Sequence, residues 1–226
     1  MPAGLQIVND YGTLQIDNDY QNYMLRTKGS VTTVAASGGT VTNYSASIQV
    51  VGNNPQIFFD VNNGFISTGW RTVSGNVHTF AIFTTTVVTV SYYIFDNDIP
   101  AAGNFGMQVF NAAGRLVFDS SNHCLRIAAV AHMPPNISGD PVTVPVSLPA
   151  GRKYACALSF SRCSIVQVAY SPFPILGRCY DFHRFLGGSL ETKMWPIATF
   201  PGQPAQTYPP QTTYPPQAVI IDVTNM

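Results

Sequence analysis

The stretch that organises the chain is GLQIVNDYGTLQID at residues 4–17, which returns as GMQVFNAAGRLVFD at residues 106–119. Gly, Gln, Asn, Gly, Leu and Asp are identical at matching positions, and short apolar segments flank the centre of each copy. An Asn that starts a type I turn accepts hydrogen bonds from it, and a Gly three positions later takes the left-handed conformation of a G1 bulge. Each copy therefore predicts a β-hairpin, with Asn9 and Gly12 in the first turn and Asn111 and Gly114 in the second.

The repeat also suggests how the chain is divided. One common hairpin sequence arising twice would explain the similarity, but the matches in register favour duplication. We expect an N-terminal β unit at residues 1–100, a second β unit at residues 101–196, and a Pro-rich arm at residues 197–226. The break at Asp96-Asn97-Asp98-Ile99-Pro100 marks the first boundary.

Composition favours strands over helices. The chain contains 22 Val and 20 Thr, which suit a pleated surface, against ten Leu, three Lys and one Glu. Its 18 Gly and 17 Pro are spread along the sequence and separate short strand-like segments. The prediction is an all-β fold of β-sandwich-like units, or a partly closed barrel, with repeated hairpins and an extended C-terminal arm.

The arm begins where the composition changes at Pro196. A six-residue repeat, QTYPPQ at residues 206–211 and TTYPPQ at residues 212–217, is typical of polyproline II and cannot join a core sheet. An apolar run follows at residues 218–223 and would promote aggregation if it were left free. We expect this arm to contact a neighbouring subunit and to add a strand to its sheet; the alternative is an arm that folds back on its own body or stays mobile. The contact residues are predicted to be Tyr208, Tyr214, Val219, Ile220 and Ile221.

Charge and targeting signals exclude several classes of partner. Charged residues make up 10% of the chain and the net charge is zero, so no general attraction to nucleic acid or anionic membrane is expected. No apolar run is long enough for a membrane helix, and the start lacks the pattern of a secretory signal. We therefore expect no membrane insertion, and a chain made in a reducing cytoplasm. Its four cysteines are interpreted as small buried residues, with a Cys156–Cys163 disulfide as the less favoured alternative.

The sequence contains few residue patterns that would indicate catalysis or metal binding. The close carboxylate pairs, Asp17/Asp19 and Asp96/Asp98, are interpreted as solvated turns. Asp181 with His183, or His123 with Cys124, would supply too few ligands for a convincing metal site. We predict no catalytic residues, no cofactor and no metal.

Residues 141–195 carry a small excess of basic side chains, and aromatic residues cluster after position 154. The basic side chains are expected to form a solvated rim, or else a patch for an acidic partner or a glycan. Most of the aromatic residues should be core, although some on loops would be able to stack on sugar rings.

The two hairpin sequences resemble small proteins encoded among the tail genes of tailed bacteriophages. Those proteins open with Gly-Leu-x-Ile-x-Asn-x-x-Gly and repeat it as Gly-Leu-x-Val-Phe-Asn-x-x-Gly with a following Asp. The matching positions here are Gly4, Leu5, Ile7, Asn9, Gly12 and Asp17, then Gly106, Val109, Phe110, Asn111, Gly114 and Asp119. The rest of the chain has no such counterpart.

The resemblance implies a structural protein of the virion tail, at the tip or fibre base, assembled in the host cytoplasm. Its expected partners are other tail proteins and further copies of itself, as a homo-oligomer. The alternative is a module that binds a host-surface polysaccharide or receptor. A hydrolase is least favoured, because the carboxylates form no convincing acid/base pair.

Overall fold

The β-branched segments of the sequence form strands, and the fold is all-β. The computed structural model describes residues 6–8, 14–17, 21–36, 43–61, 63–98, 106–135, 139–170, 174–186, 188–201 and 215–226. The strands are β1 (Gln6–Val8), β2 (Leu14–Asp17), β3 (Met24–Thr32), β4 (Val34–Ala36), β5 (Asn43–Val51), β6 (Gln56–Asp60), β7 (Ile66–Ser74), β8 (Val77–Thr84), β9 (Thr89–Asp96), β10 (Gln108–Phe110), β11 (Leu116–Asp119), β12 (Ile127–His132), β13 (Val142–Pro145), β14 (Tyr154–Leu158), β15 (Cys163–Tyr170), β16 (Pro174–Leu186), β17 (Ser189–Pro201) and β18 (Gln217–Asp222). Among these residues no helix is long and apolar enough to cross a membrane.

Two large antiparallel sheets and two small hairpins contain all of these strands. The six-stranded sheet has the order β12-β18-β14-β6-β9-β3. The eight-stranded sheet has the order β13-β17-β16-β7-β8-β5-β4, and β15 pairs with β16 beside this path. The pairs β1–β2 and β10–β11 form the hairpins.

The two large sheets pack face to face as a sandwich. Alternate side chains of β6 and β9 in one sheet meet those of β5 and β8 in the other, as the period of two in a strand requires. The buried members of this core are Ile48, Val50, Ile57, Phe59, Val61, Ile66, Phe80, Ile82, Val90 and Ile94. A second cluster, which includes Met133, Cys156, Leu190 and Ile220, joins β14 and β18 to β17.

The predicted boundary near residue 100 does not divide the fold, because both large sheets contain strands from each side of it. The six-stranded sheet takes β3, β6 and β9 from before residue 100 and β12, β14 and β18 from after it. The eight-stranded sheet is mixed in the same way. The hairpin repeat therefore marks two local units, but the strands that follow each hairpin combine into shared sheets.

The end of the predicted arm folds back on its own chain. Strand β18 lies between β12 and β14, and Ala218, Ile220 and Ile221 are fully buried. The expectation that Val219, Ile220 and Ile221 add to a neighbouring subunit is therefore wrong. The alternative, an arm that folds back on its own body, is what residues 217–222 show. Tyr208 and Tyr214 lie outside the described residues.

The start of the predicted arm also belongs to the sheet. Strand β17 continues through Pro196 to Pro201, both paired with β16. Pro196 lies at a register shift, where Arg178 pairs with Ala198 but Cys179 pairs with Pro196. At such a bulge a Pro can be accommodated, because the missing N–H is not needed for the ladder. The expectation that residues from 196 stay outside the sheet is therefore wrong.

The two repeat copies form hairpins with equivalent pairing. Gln6 pairs with Asp17 in the first, and Gln108 pairs with Asp119 in the second, each with a register shift near the turn. In the second turn, Gly114 has a φ of +74° and its amide donates to the carbonyl of Asn111. The Asn111 side chain accepts from the amides of Ala113 and Arg115, at 3.1 and 2.9 Å. This is the geometry predicted for Asn111 and Gly114, whereas Asn9 and Gly12 lie outside the described residues.

Two expectations about polar residues need correction. Asp96 is not solvated: it is buried, and its carboxylate accepts hydrogen bonds from the backbone amides of Asn53, Asn54 and Asn97. Cys163 is exposed, although Cys156 and Cys179 are buried as expected. All four cysteines are free, and Cys156 and Cys163 lie in different sheets rather than across one hairpin.

Replacing Gly114 by Val should lower the free energy of unfolding by about 1–2 kcal/mol, because a β-branched residue is strained at positive φ. No atom lies within 4 Å of the position of an added Cβ, so the cost comes from the backbone alone. Gly139→Val is the matched control, since Gly139 also has open space but no positive φ. Urea unfolding measures both, and equal losses would contradict the assigned turn.

Replacing Ile220 by Ala should lower the free energy of unfolding by about 2–5 kcal/mol, because it opens a cavity beneath β18. Val130→Ala on the adjacent strand β12 is the control, because half of that side chain is exposed. A similar small effect for both variants would show that β18 is not packed in its own chain.

Candidate functional site

A cleft forms where the eight-stranded sheet divides. Strands β7 and β16 pair only at Ile66 and His183, and the next part of β16 pairs with β15 instead. Beyond Ile66, the β7 edge that faces away from β8 has no paired strand among the described residues. The end of β14 and the residues that follow it, 157–161, form the opposite wall.

The cleft has a volume of about 380 Å³, within the usual range of small-molecule sites. Its walls combine aromatic and uncharged polar side chains with one cation, Arg71. The described residues that line it are Pro55, Gln56, Ile57, Phe58, Thr68, Gly69, Trp70, Arg71, Phe80, Ala157, Leu158, Ser159, Phe160, Ser161, Tyr180, His183 and Val219.

A glycine positions the aromatic wall on β7. A Cβ at Gly69 would lie 2.3 Å from Phe83, so only Gly allows Phe83 to pack there. Gly69 also falls at a register shift between β7 and β8. Trp70 then rests on Phe83 with ring centroids 5.3 Å apart, and 54% of its surface remains exposed.

Arg71 is held by the neighbouring strand. Its guanidinium lies 2.6 and 3.0 Å from Nδ1 of His78, and Nε2 of His78 lies 3.1 Å from the carbonyl oxygen of Gly52. These contacts fit an imidazole that donates to Gly52 and accepts from Arg71. Arg71 is thus oriented by His78 at the edge of the cleft.

A buried ion pair fixes the opposite wall. The Arg162 guanidinium and the Asp181 carboxylate are fully buried, with Nε 2.9 Å from Oδ2. Arg162 also donates to the carbonyls of Pro134 and Pro135, and its own amide donates to Asp181. Because every polar group of this pair has a partner, it anchors the turn that carries Phe160 and Ser161 to β16.

His183 lies at the base of the cleft and is 2% exposed. Both ring nitrogens are shielded from solvent and make no well-aligned hydrogen bond among the described residues, and the backbone of Cys156 lies close to the imidazole. Burial lowers the pKa of His183 to about 4, and the nearby backbone of Cys156 opposes this only in part. The imidazole is therefore neutral at pH 7 and can donate one hydrogen bond and accept another.

The residues singled out from the sequence are only partly brought together. Asn111 and Gly114 lie at the tip of the second hairpin, away from the cleft. Of the described arm residues, Val219 lines the cleft, whereas Ile220 and Ile221 are buried in the core. Asp181 is occupied by Arg162, and the described residues contain no cluster of three or more groups able to hold a metal.

Most of the basic residues of 141–195 make contacts within the chain. Four of the six make ion pairs within the chain: Arg152 with Asp222, Lys153 with Asp60, Arg162 with Asp181, and Arg184 with Glu191. Lys193 lies over the rings of Phe65 and Trp195, at 4.7 and 4.2 Å from their centroids. Most of these cations therefore contact groups of the same chain.

Sequence reasoning missed Trp70 and Arg71 as site residues. The signal was the Gly69-Trp70-Arg71 segment, in which a large aromatic residue follows a glycine inside a strand. Phe160 and Tyr180 belong to the aromatic cluster after position 154 and have no further signal in the sequence.

Comparison of the chain with protein-family models, curated proteins and solved structures gives no match.

His183 should make stability depend on pH. Because the pKa of His183 is about 4 in the native chain, below the ordinary histidine pKa of about 6.5, the unfolded chain binds the proton more readily. The free energy of unfolding should therefore fall as pH is lowered from about 6.5 toward 4, by about 3 kcal/mol in total from this residue.

Urea unfolding between pH 7 and 4.5 measures this effect. His183→Gln should remove most of it, and His132→Gln, a change at an exposed histidine, should not. A pH dependence unchanged in His183→Gln would contradict the assigned burial.

Proposed function

We propose that the protein is a structural component of a bacteriophage tail, at the tip or fibre base, that holds neighbouring subunits together. The proposal starts from the resemblance of the repeated hairpin to tail-encoded proteins. We place the protein in the virion after assembly in the host cytoplasm, with other tail proteins and its own copies as partners. Nucleic acid and membrane are not among the proposed partners.

The observation that carries the proposal is the apolar surface of the subunit. Large apolar side chains are exposed on both sheets and on the second hairpin, in a chain with only 10% charged residues. They are Val34, Val51, Trp70, Val73, Val87, Met107, Phe110, Ile127, Val130, Phe160 and Leu186. Soluble monomers usually interrupt such a surface with charge, so this one is suited to burial in an assembly.

Strand β12 is the proposed contact between copies. It forms one edge of the six-stranded sheet and pairs with β18 on its inner side. Ile127 and Val130 are 60% and 50% exposed, and the strand contains no Lys or Pro of the kind that usually protects an edge. A second copy of β12 would extend the sheet and cover both side chains.

The cleft favours a second candidate function, binding of a host-surface polysaccharide or receptor. An exposed Trp beside uncharged polar groups is suited to recognition of a ligand that is partly apolar and partly hydroxylated. We propose no catalytic role. Glycoside hydrolysis requires two carboxyl groups about 5–9.5 Å apart, and the described lining of the cleft contains only uncharged groups and Arg71.

The tail assignment is tested by quantitative mass spectrometry of purified virions of the phage that encodes the chain. We expect the protein in a fixed ratio to the other tail proteins. Its absence from intact particles would contradict the assignment.

The contact between copies is tested separately by light scattering on the purified chain. We expect an oligomer at micromolar concentration, and the double change Ile127→Lys with Val130→Lys should shift it toward monomer, because it places charge on the β12 edge. Val51→Lys is the control at an exposed apolar position on another strand. A monomeric native chain, or equal effects of both variants, would contradict the β12 contact.

A further inference from the structure

The cleft opens along an unpaired edge of β7. Strand β15 replaces β7 along β16, so the part of β7 that follows Ile66 pairs only with β8 among the described residues. Such an edge presents a row of backbone N–H and C=O groups with which another extended chain can pair. Because this gap lies inside the eight-stranded sheet and not at its margin, residues 157–161 form a wall across from the edge. The cleft is therefore bounded on one side by backbone groups that can accept a further strand.

The turn at the end of β7 determines which backbone groups face this edge. The turn between β7 and β8 contains two residues, of which Gly75 has a φ of +61°, and the pair Ser74 and Val77 closes it. In a hairpin with a two-residue turn, the closing pair is hydrogen-bonded, and so is every second pair after it. The amides and carbonyls of Arg71 and Val73 belong to the intervening pairs and therefore point away from β8, toward the open edge.

The side chains next to this edge alternate between the two faces of the sheet. On one face Trp70 packs on Phe83, with ring centroids 5.3 Å apart, and 54% of its surface is exposed. On the other face the Arg71 guanidinium lies 5.6 Å from the centroid of the Phe80 ring and contacts Nδ1 of His78. Consecutive residues of an added strand would lie beside these two side chains in turn, since cross-strand neighbours have Cβ atoms about 4.5–5.5 Å apart.

The contacts of Arg71 indicate the side chain that would lie opposite it. Its guanidinium contacts Nδ1 of His78, the carbonyl oxygen of Pro55 and the ring of Phe80. It makes no ion pair with a carboxylate among the described residues. A carboxylate on an added strand would therefore supply a charge-assisted hydrogen bond that the chain itself does not provide. Beside Trp70, an aromatic or large apolar side chain makes the favourable cross-strand pair.

We propose that the cleft docks an extended, acidic segment of another tail protein, which adds to β7 as an antiparallel strand. All described pairs of this sheet are antiparallel. An acidic residue of the segment lies beside Arg71, and the adjacent residue, aromatic or apolar, lies beside Trp70. Backbone hydrogen bonds to β7 supply the affinity, and the two side chains supply the specificity. The inference rests on the proposed function for the source of the segment.

The same geometry argues against a polysaccharide in this cleft. A single sugar ring requires aromatic and polar side chains that converge on it, but Trp70 and Arg71 lie on opposite faces of the sheet. An extended chain contacts both, because its own side chains alternate in the same way.

The experiment measures binding of the purified full chain to short synthetic peptides rich in Thr and Val. One series contains Asp next to Tyr, and the matched series contains Lys in place of Asp. We expect the Asp series to bind about tenfold more tightly, because a like charge opposite Arg71 is unfavourable. Absence of binding, or equal binding of the two series, would overturn the proposal. A chain that is incorporated into virions but binds neither series would overturn this inference and leave the tail assignment standing.

Backbone methylation distinguishes strand addition from recognition of side chains alone. Methyl groups on every second amide nitrogen of an Asp peptide remove the hydrogen bonds on one of its sides and leave its side chains unchanged. One of the two alternate sets of methyl groups should abolish binding, and the other set should retain it. Equal affinities of the two methylated peptides would overturn strand addition.

Variants of the chain locate the site, each first checked for native unfolding behaviour in urea. Arg71→Glu should reverse the preference, so that the Lys series binds more tightly, whereas Lys28→Glu, at an exposed position outside the cleft, should not. Trp70→Ala should weaken binding about tenfold. Val51→Ala, at an exposed apolar position outside the cleft, should leave it unchanged. An unchanged preference in Arg71→Glu would overturn the proposal.

Two further results would assign the cleft to a different occupant. If Arg71→Glu lowers the mass of the purified chain in light scattering without changing peptide binding, the occupant is a second copy of the chain. If host-surface oligosaccharides bind the chain and Trp70→Ala abolishes that binding, the occupant is a polysaccharide. Either result would overturn the proposed segment.

Discussion

The insertion of β18 between β12 and β14 is the constraint on which the rest of the six-stranded sheet depends. Strand β12 has β18 as its only partner in the described sheet, and β14 meets β6 at a single pair, Cys156 with Phe59. Without β18, neither strand would have a full ladder on either side. The last segment of the chain therefore holds strands from its second half against strands from its first, which makes the sheet a product of long-range contacts.

The same constraint creates the cleft. Because β14 is fixed by β18, the segment that follows it must turn toward the other sheet, where Arg162 enters the buried pair with Asp181. Strand β15 then occupies the edge of β16 that β7 would otherwise continue along. The cleft thus lies where β15 replaces β7 along one edge of β16. The Arg162–Asp181 ion pair fixes one wall, and the contact between Gly69 and Phe83 fixes the other.

The sequence predicts the local features of this fold well. The turn at Asn111 and Gly114 follows from short-range rules, because hydrogen bonding by Asn and the positive φ of Gly involve only neighbouring residues. The all-β class follows from the abundance of Val and Thr. Strand partners do not follow, since an apolar, β-branched run such as residues 218–223 pairs equally well with its own sheet or with a neighbour's. Similarly, nothing local distinguishes the buried Arg162 and Asp96 from solvated charges, because their partners come from distant segments.

The ion pairs in the structure change how the small number of charged residues is interpreted. Arg152, Lys153, Arg162 and Arg184 are paired within the chain, but only the Arg162 pair is fully buried, whereas Arg152 and Lys153 stay half-exposed. The half-exposed pairs are screened by salt, whereas the exposed apolar side chains contribute to any contact without that dependence. Arg71, which faces the cleft without a described carboxylate partner, departs from this pattern. The proposed association between copies therefore depends on exposed apolar side chains, such as Ile127 and Val130, and not on unpaired charges.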